Sequence, residues 1–417
     1  MLDLKLLRSD PERVRTALAR RGAADSVDEL LALDQRRREL LPEIEGARSE
    51  RKQASEQIGA AKKAGEDADE AIAAVKELKS RMEILEKELE EVETRRDSLA
   101  VSLPNLPDPT SPDGFTDEDA VMIREVGEPP VFGFEPKDHL EICEPTGMID
   151  MEAAARVSGS RFAYIKGDLV MLELALVRYA LETVREYGHE PVVPPILVRE
   201  EALFGTGFLP GDRDQIYELP KDELFLVGTS EVPLAAMHAD SILEADRLPL
   251  RYAGFSTCFR REAGGYGKEV HGFLRVHQFN KVELVNFTKP EDSYDRLEGL
   301  VGEAEAILQS LELPYRVLLL CTGDTSFSSA KTYDLEAWAS GEEKWLEVSS
   351  CSNFADFQAR RAQIRFRRTP DAKPEFVHTL NGSALATSRI MVAILENNLR
   401  EDGHVNVPKV LQPFCGF

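Results

Sequence analysis

Cysteine is scarce: five residues in 417 (Cys143, Cys258, Cys321, Cys351 and Cys415), with no CxxC pair among them. That excludes a disulfide framework and a cysteine-rich zinc site, and it suits a reducing compartment. No apolar run approaches the roughly 18 residues needed to cross a bilayer. The opening Met1-Leu2-Asp3-Leu4-Lys5 has neither a signal-peptide core nor a transit-peptide bias. The expectation is a soluble, cytoplasmic protein with no membrane partner. Positive charge is also in short supply, with 51 Lys and Arg against 75 Asp and Glu, a net charge of -24. A uniformly basic nucleic-acid coat is thereby excluded, although local basic patches are not. GxxxxGK[ST] is missing, as is GxGxxG opening a helix after a strand. A nucleotide would have to be held by side chains on a sheet.

Hydrophobic residues make up 42% of the chain, enough for a sizeable core. The organisation changes over residues 101–114, where Pro104, Pro107, Pro109 and Pro112 forbid a continuing helix. This stretch reads as a linker between residues 1–104 and 105–417. The first part is almost wholly helical. Ser9-Asp10-Pro11 suggests the start of a short first helix. Long helices are expected over about 27–64 and 69–99, reversing at Gly65-Glu66-Asp67. Ile72, Val75, Leu78, Met82, Leu85, Leu89 and Val92 recur every three or four residues and form a heptad seam. Leu40, Ile44, Ala47, Ala54, Ile58 and Ala61 offer the facing stripe, which Pro42 should kink or restart. An antiparallel hairpin is too narrow to enclose a pocket, so it must act as a lever or docking arm. Its cations (Arg36-Arg37-Arg38, Arg48, Arg51-Lys52, Lys62-Lys63, Arg95-Arg96) suit either a solvated coiled-coil face or a phosphate-docking surface.

Residues 105–417 mix helical signals (169–187, 291–311, 388–399) with strand-like runs at 251–259, 273–287, 332–338 and 344–350. Consecutive strands without helices between them imply an α+β fold, an antiparallel or mixed sheet with helices packed on it. The run CFRREAGGYGKEVHGFLRVHQFNKVELVNF reads as strand, glycine-rich loop and strand, with Gly264-Gly265-Tyr266-Gly267 at a mobile tip. Side chains alternate along a strand. Arg275, His277, Phe279, Lys281 and Glu283 would therefore share one face, suited to phosphates at one end and a base at the other, or simply to a surface charge ladder. In WLEVSSCSN, Glu347 and Ser350 offer oxygen ligands to Mg²⁺, or belong to an ordinary edge strand. Arg389 could clamp a phosphate or sit in a salt bridge. Thr229-Ser230-Glu231 could bind a small amine or cap a helix.

Taken in order, these segments resemble the bacterial-type seryl-tRNA synthetases, a family of class II aminoacyl-tRNA synthetases. The resemblance covers nearly the whole chain. It rests on LDLKLLRSDPERV, the hairpin, VSGSRF, VVPPILV (like motif 1), GTGFLP, GTSEVPL, FRREAG…RVHQFNKVE (like motif 2), SSCSNFADFQARR and LNGSALATSR (like motif 3). It implies an antiparallel sheet flanked by helices, a homodimer with motif 1 in its interface, and ligation of L-serine to tRNA(Ser) with ATP, with tRNA(Sec) as a second acceptor. The hairpin would grip the tRNA. Arg260, Arg275 and Arg389 become the catalytic arginines. Serine falls to Thr229, Ser230, Glu231, Arg260, Glu283, Asn381 and Ser383, with Glu283 pairing its ammonium. ATP falls to Arg260, Arg261, Glu262, Arg275, Val276, Phe279, Glu347, Val348, Ser349, Ser350 and Arg389, with Phe279 stacked on the base. Glu347 and Ser350 take Mg²⁺, and no structural zinc is expected. His277 reads as structural.

The pattern departs from the family at His271 (usually Arg), Ala384 (often Gly), Ser230 (commonly Ala) and Pro42. Two other readings compete. One is a specialised paralogue that activates serine or an analogue for a carrier or an antibiotic pathway. The other is a non-catalytic coiled-coil adaptor.

Overall fold

The computed structural model describes residues 1–65, 67–263 and 272–416. The expected loop tip at Gly264-Gly265-Tyr266-Gly267, the departure at His271 and Glu66 of the hairpin turn lie outside them. The chain forms two compact units, Met1–Pro104 and Asn105–Phe417.

The first unit opens with α1 (Leu4–Ser9), whose N-terminus is capped by the Asp3 carboxylate, and α2 (Pro11–Ala19), capped by Asp10. The sequence pattern pointed only to the second of these, because α1 is just six residues long. Next come α3 (Val27–Ala64), ended by Gly65 at φ +76°, and α4 (Asp69–Ser102). Leu40 and Ile44 pack against Leu85 and Val92. The seam is tight there and opens toward the turn, where Ile72 is exposed. Pro42 neither starts nor ends a helix, since α3 runs through it. Its ring lies on the exposed face, where water can satisfy the carbonyl that loses its N–H partner.

The second unit is built on β1 (Val121–Val126), β2 (Glu190–Val192), β3 (Leu250–Phe259), β4 (Gln278–Thr288), β5 (Tyr315–Leu319), β6 (Lys331–Ala339), β7 (Lys344–Asn353) and β8 (His378–Ala386). They lie in the order β1-β5-β6-β7-β8-β4-β3-β2. Neighbours are antiparallel except β2, which runs parallel to β3. Helices α5 (Asp168–Glu186), α7 (Ser293–Ser310) and α9 (Thr387–Asn397) bury their apolar residues with Val282, Leu284, Leu335, Val348 and Leu385 of the sheet in one core. A short α6 (Glu231–Ala236) and α8 (Phe357–Ala362) border the site. Because side chains alternate, burying Val282 and Leu284 under helices sends Lys281 and Glu283 to the other face. Residues 105–114, read as a linker, are fastened to this unit. Asn105 Nδ2 donates to the carbonyls of Ser328 (2.9 Å) and Phe354 (2.8 Å), and the Asp108 N–H to that of Ala330. Among the described residues no helix is long and apolar enough to cross a membrane.

Candidate active site

The open face of β4 and β8 carries two adjoining cavities. The first, about 240 Å³, is lined by Thr229, Glu231, Arg260, Lys281, Glu283, Glu347, Ser350, Asn381 and Ser383, among others. Strand register brings these together: Glu283 faces Ser383 on one side and Gly254 on the other. A Cβ at Gly254 would come within 2.6 Å of Leu234 and 3.0 Å of Ser230. Only glycine there lets α6 lie close on the sheet, which places Glu231 beside Glu283.

Charge in this cavity is tightly arranged. Lys281 Nζ sits 2.5 Å from Glu283 Oε2, which also accepts from the Ser383 hydroxyl at 3.1 Å. Glu283 Oε1 is buried with no hydrogen-bond partner, and so is Asn381 Oδ1. Buried acceptors without a partner are costly, so both oxygens suit donors supplied by a bound ligand. Glu231 accepts from Gln358 Nε2 (2.7 Å) at Oε1 and from Asn381 Nδ2 (2.8 Å) at Oε2. Burial, reinforced by the Glu283 charge, pushes Glu231 up to about 7 against the pull of Gln358, Lys281 and Asn381.

The second cavity, about 90 Å³, is lined by Arg260, Glu262, Arg275, Val276, Phe279, Glu347, Val348, Ser349 and Arg389, among others. Arg260 stacks 5.3 Å from the centre of the Phe279 ring, and its Nε donates to the Gly228 carbonyl at 3.2 Å. Arg275 Nε meets Glu262 Oε2 at 2.5 Å. Arg389 Nη1 donates to the Glu347 carbonyl (2.7 Å) and lies 3.3 Å from its carboxylate. Three guanidinium groups around a small polar space next to an aromatic ring suit a nucleotide polyphosphate. Glu262 holds φ +47°, an uncommon conformation for a residue with a Cβ, three residues past the end of β3.

Some expectations need correction. β4 begins at Gln278, so Arg275 and His277 precede it in irregular backbone and the strand alternation does not place them. Arg275 reaches the cavity all the same, through its pairing with Glu262. Ser230 does not line the pocket; its hydroxyl is spent on the Gly254 carbonyl at 3.0 Å. Arg261 is likewise outside, its guanidinium stacked over Tyr217 at 5.5 Å. His277 Nδ1 contacts the Arg260 carbonyl at 2.9 Å. Lys281 carried no assigned role, although its place on the face of Phe279 and Glu283 was visible in the alternation. Asp334 had no sequence signal. It faces Ser350 across β6 and β7, and its Oδ1 is buried without a partner. Burial and the Glu347 charge hold its carboxyl well above the usual carboxylate range, against hydrogen bonding from Ser350. Glu347, Ser350 and this orphaned oxygen are all hard oxygen donors, so the residues present fit Mg²⁺.

A mostly antiparallel sheet with Arg260, Arg275 and Arg389 placed just beyond the ends of its central strands, all lining one small polar cavity, defines the class. Residues 216–398 match the model for the tRNA synthetase class II core domain (G, H, P, S and T). Residues 1–107 match the seryl-tRNA synthetase N-terminal domain. The serine--tRNA ligase of Geobacillus kaustophilus is 50% identical, the alignment covering 100% of this chain and 99% of that protein. The seryl-tRNA synthetase of Pyrococcus horikoshii, solved with ATP, superposes with a TM-score of 0.94 at 43% identity, covering 100% of this chain and 98% of the other. The cytoplasmic enzyme of Naegleria fowleri, solved with AMP, gives 0.89 at 30% identity over the same shares. The chain belongs to the seryl-tRNA synthetase family.

Proposed function

We propose that this protein activates L-serine with ATP to seryl-adenylate and transfers the seryl group to tRNA(Ser), and to tRNA(Sec) where that acceptor is present. The observation that carries the reading is the partnerless Glu283 Oε1, buried in a cavity that Arg260 also lines, while Arg260 lines the second cavity together with Arg275 and Arg389. A substrate with an ammonium at one end and a carboxylate at the other suits a cavity lined by both a partnerless carboxylate oxygen and a guanidinium. Glu283 takes the ammonium, Arg260 the carboxylate, and Thr229, Glu231, Asn381 and Ser383 line the remainder of the serine pocket. ATP lies across the second cavity. Its base stacks on Phe279, its α-phosphate faces Arg260, and its outer phosphates face Arg275 and Arg389. For Glu262 to meet the adenine amine, Arg275 must release its carboxylate to turn toward phosphate.

Serine's carboxylate is ionised at neutral pH, so it needs no general base to attack the α-phosphorus. Alignment of the two substrates and fixed cations around the leaving pyrophosphate do the work. Glu347 and Ser350 would hold Mg²⁺, which supplies charge neutralisation at the phosphates. In the second half-reaction a terminal ribose hydroxyl of the tRNA attacks the seryl carbonyl and AMP departs.

Residues 1–104 serve as the tRNA-binding arm, through backbone contacts and shape. Exposed apolar residues Met171 and Leu174 of α5 and Val193 beyond β2, near the motif 1-like segment, support a homodimer. The protein works in the cytoplasm.

Serine-dependent ATP–pyrophosphate exchange tests the reading. The wild type exchanges with serine, whereas Glu283→Ala falls by roughly 10²- to 10³-fold with its fold intact, as expected for truncating a buried charge partner. Near-normal exchange in that variant would sink the ammonium assignment.

A further inference from the structure

Gln358 belongs to the DFQARR run, whose resemblance to the family assigns it no task. It lies on α8, is 2% exposed, and has both N–H donors of its amide and one lone pair of the amide oxygen engaged. Nε2 donates to the Thr206 carbonyl at 3.1 Å and to Glu231 Oε1 at 2.7 Å, while Oε1 accepts from the Thr379 hydroxyl at 2.7 Å. The orientation is forced. Flipping the amide would press its oxygen against a carbonyl and a carboxylate oxygen.

α8 is itself anchored. Arg361, one turn on, donates to the carbonyls of Phe204 (3.2 Å) and Leu209 (2.9 Å) and sits about 5 Å from the rings of Phe204, Phe327 and Phe357. The Gln358 amide is therefore delivered from a fixed platform rather than a free loop.

We infer that Gln358 is a positioning residue for the serine site, which holds Glu231 as a hydrogen-bond acceptor toward the substrate. The inference rests on the serine reading above and extends it to a residue that does not line the first cavity. With Gln358 on Oε1 and Asn381 on Oε2, each Glu231 oxygen already accepts one amide N–H, and in the carboxylate form the lone pairs left over accept a proton donated by the substrate. Without Gln358, a carboxylate pressed by burial and by Glu283 would take up a proton at still higher pH and present a donor instead over more of the working range. The groups facing Glu231 are Glu283 and Lys281 from β4, Gln358 from α8 and Asn381 from β8. Glu283 favours its protonated form, and the other three its carboxylate.

The test is exchange kinetics of the full-length protein between pH 6 and 8.5, with serine and ATP varied separately. Gln358→Met keeps the bulk and removes the donors. The expected result is a rise in KM for serine of roughly 10- to 100-fold at pH 7, the range for a hydrogen bond to a charged group. KM for ATP should stay within about twofold, on the expectation that the nucleotide contacts are untouched. The acid limb of kcat/KM for serine should move to higher pH. A merely structural loss would depress both substrates alike at every pH. Should Gln358→Met fail to fold, Thr379→Val frees the amide to rotate and should give the same serine-selective shift, smaller in size. A folded variant with unchanged KM for serine and an unmoved acid limb overturns the inference. Wild-type protein that does not exchange with serine at all would instead overturn the parent reading, so the two failures look different.

Discussion

The hairpin and the sheet unit use charge in opposite ways. Along the inner half of the hairpin, cations are matched across the seam: Arg36 with Glu88 (2.7 Å), Arg37 with Glu93 (2.7 Å), Arg48 with Glu86 (2.7 Å) and Arg95 with Glu29. Toward the turn, Arg51, Lys52, Lys62 and Lys63 have no ion pair among the described residues. At the candidate site the excess is of the other kind. Lys281 is paired with Glu283, Arg275 with Glu262 and Arg389 with Glu347, and the buried atoms left without a partner there are acceptors, Glu283 Oε1, Asn381 Oδ1 and Asp334 Oδ1. Unpaired exposed cations suit a polyanion held by many weak, interchangeable contacts. Vacant buried acceptors suit one small cationic group held by a few strong ones. An acidic protein can therefore serve a polyanionic partner, because net charge is irrelevant to where the uncompensated charges lie.

The largest expected effect separates the two regions outright. Deleting residues 27–100 should leave serine-dependent pyrophosphate exchange near wild type. Charging of tRNA should fall by on the order of 10³-fold, because the unpaired cations of the proposed docking arm are removed all at once. Equal loss in both assays would show that the division of labour is false.

A second test concerns the cost of the buried acceptors. The Glu231 carboxyl rises from an ordinary 4.5 to about 7 in the folded protein. Folded protein therefore binds a proton there that the unfolded chain has released. This contribution to stability is fully present below pH 4.5 and is lost as pH rises through about 7. The difference amounts to roughly 3 kcal/mol at 1.36 kcal/mol per pH unit. Urea unfolding of ligand-free protein at pH 5 and pH 8 should show it, and Glu231→Gln should flatten it. Serine should partly restore stability at pH 8, because its ammonium offsets the crowded carboxylates. A wild-type profile as flat as that of Glu231→Gln would mean that the cavity is not under electrostatic strain.

How far the sequence was readable follows the same division. In the hairpin, order is local: three- and four-residue spacing sets both seam and partner stripe, and the long-helix bounds expected at 27–64 match α3. The α4 end runs three residues past the expected 99 because the prolines begin to act only at Pro104. In the sheet unit, alternation sufficed for Phe279, Lys281 and Glu283 on β4 but failed at Arg275, where the chain is not yet a strand. Ser230 and Arg261 sit in the right motifs yet turn away, because a motif states position along the chain and not side-chain direction. Asp334 and Gln358 were invisible. Each matters through a partner on another element (Ser350 across the sheet, Glu231 from a separate helix), and such pairings are created only by folding.

The smallest effects should lie within the hairpin, and they sharpen the comparison most finely. Replacing Arg51 and Lys52 together by alanine should leave the melting temperature unchanged, weaken tRNA binding uniformly, and lower the slope of log affinity against log salt by about 0.7–0.9 for each phosphate no longer neutralised. Arg37→Ala should do the reverse. Its guanidinium is committed to Glu93, so the salt slope should stay put while stability drops by about 0.5 kcal/mol, typical of a partly exposed pair. If instead Arg37 sets the salt slope and the outer pair does not, the ion pairs along the seam must open on binding. The tRNA would then dock along the inner half of the hairpin rather than toward its turn.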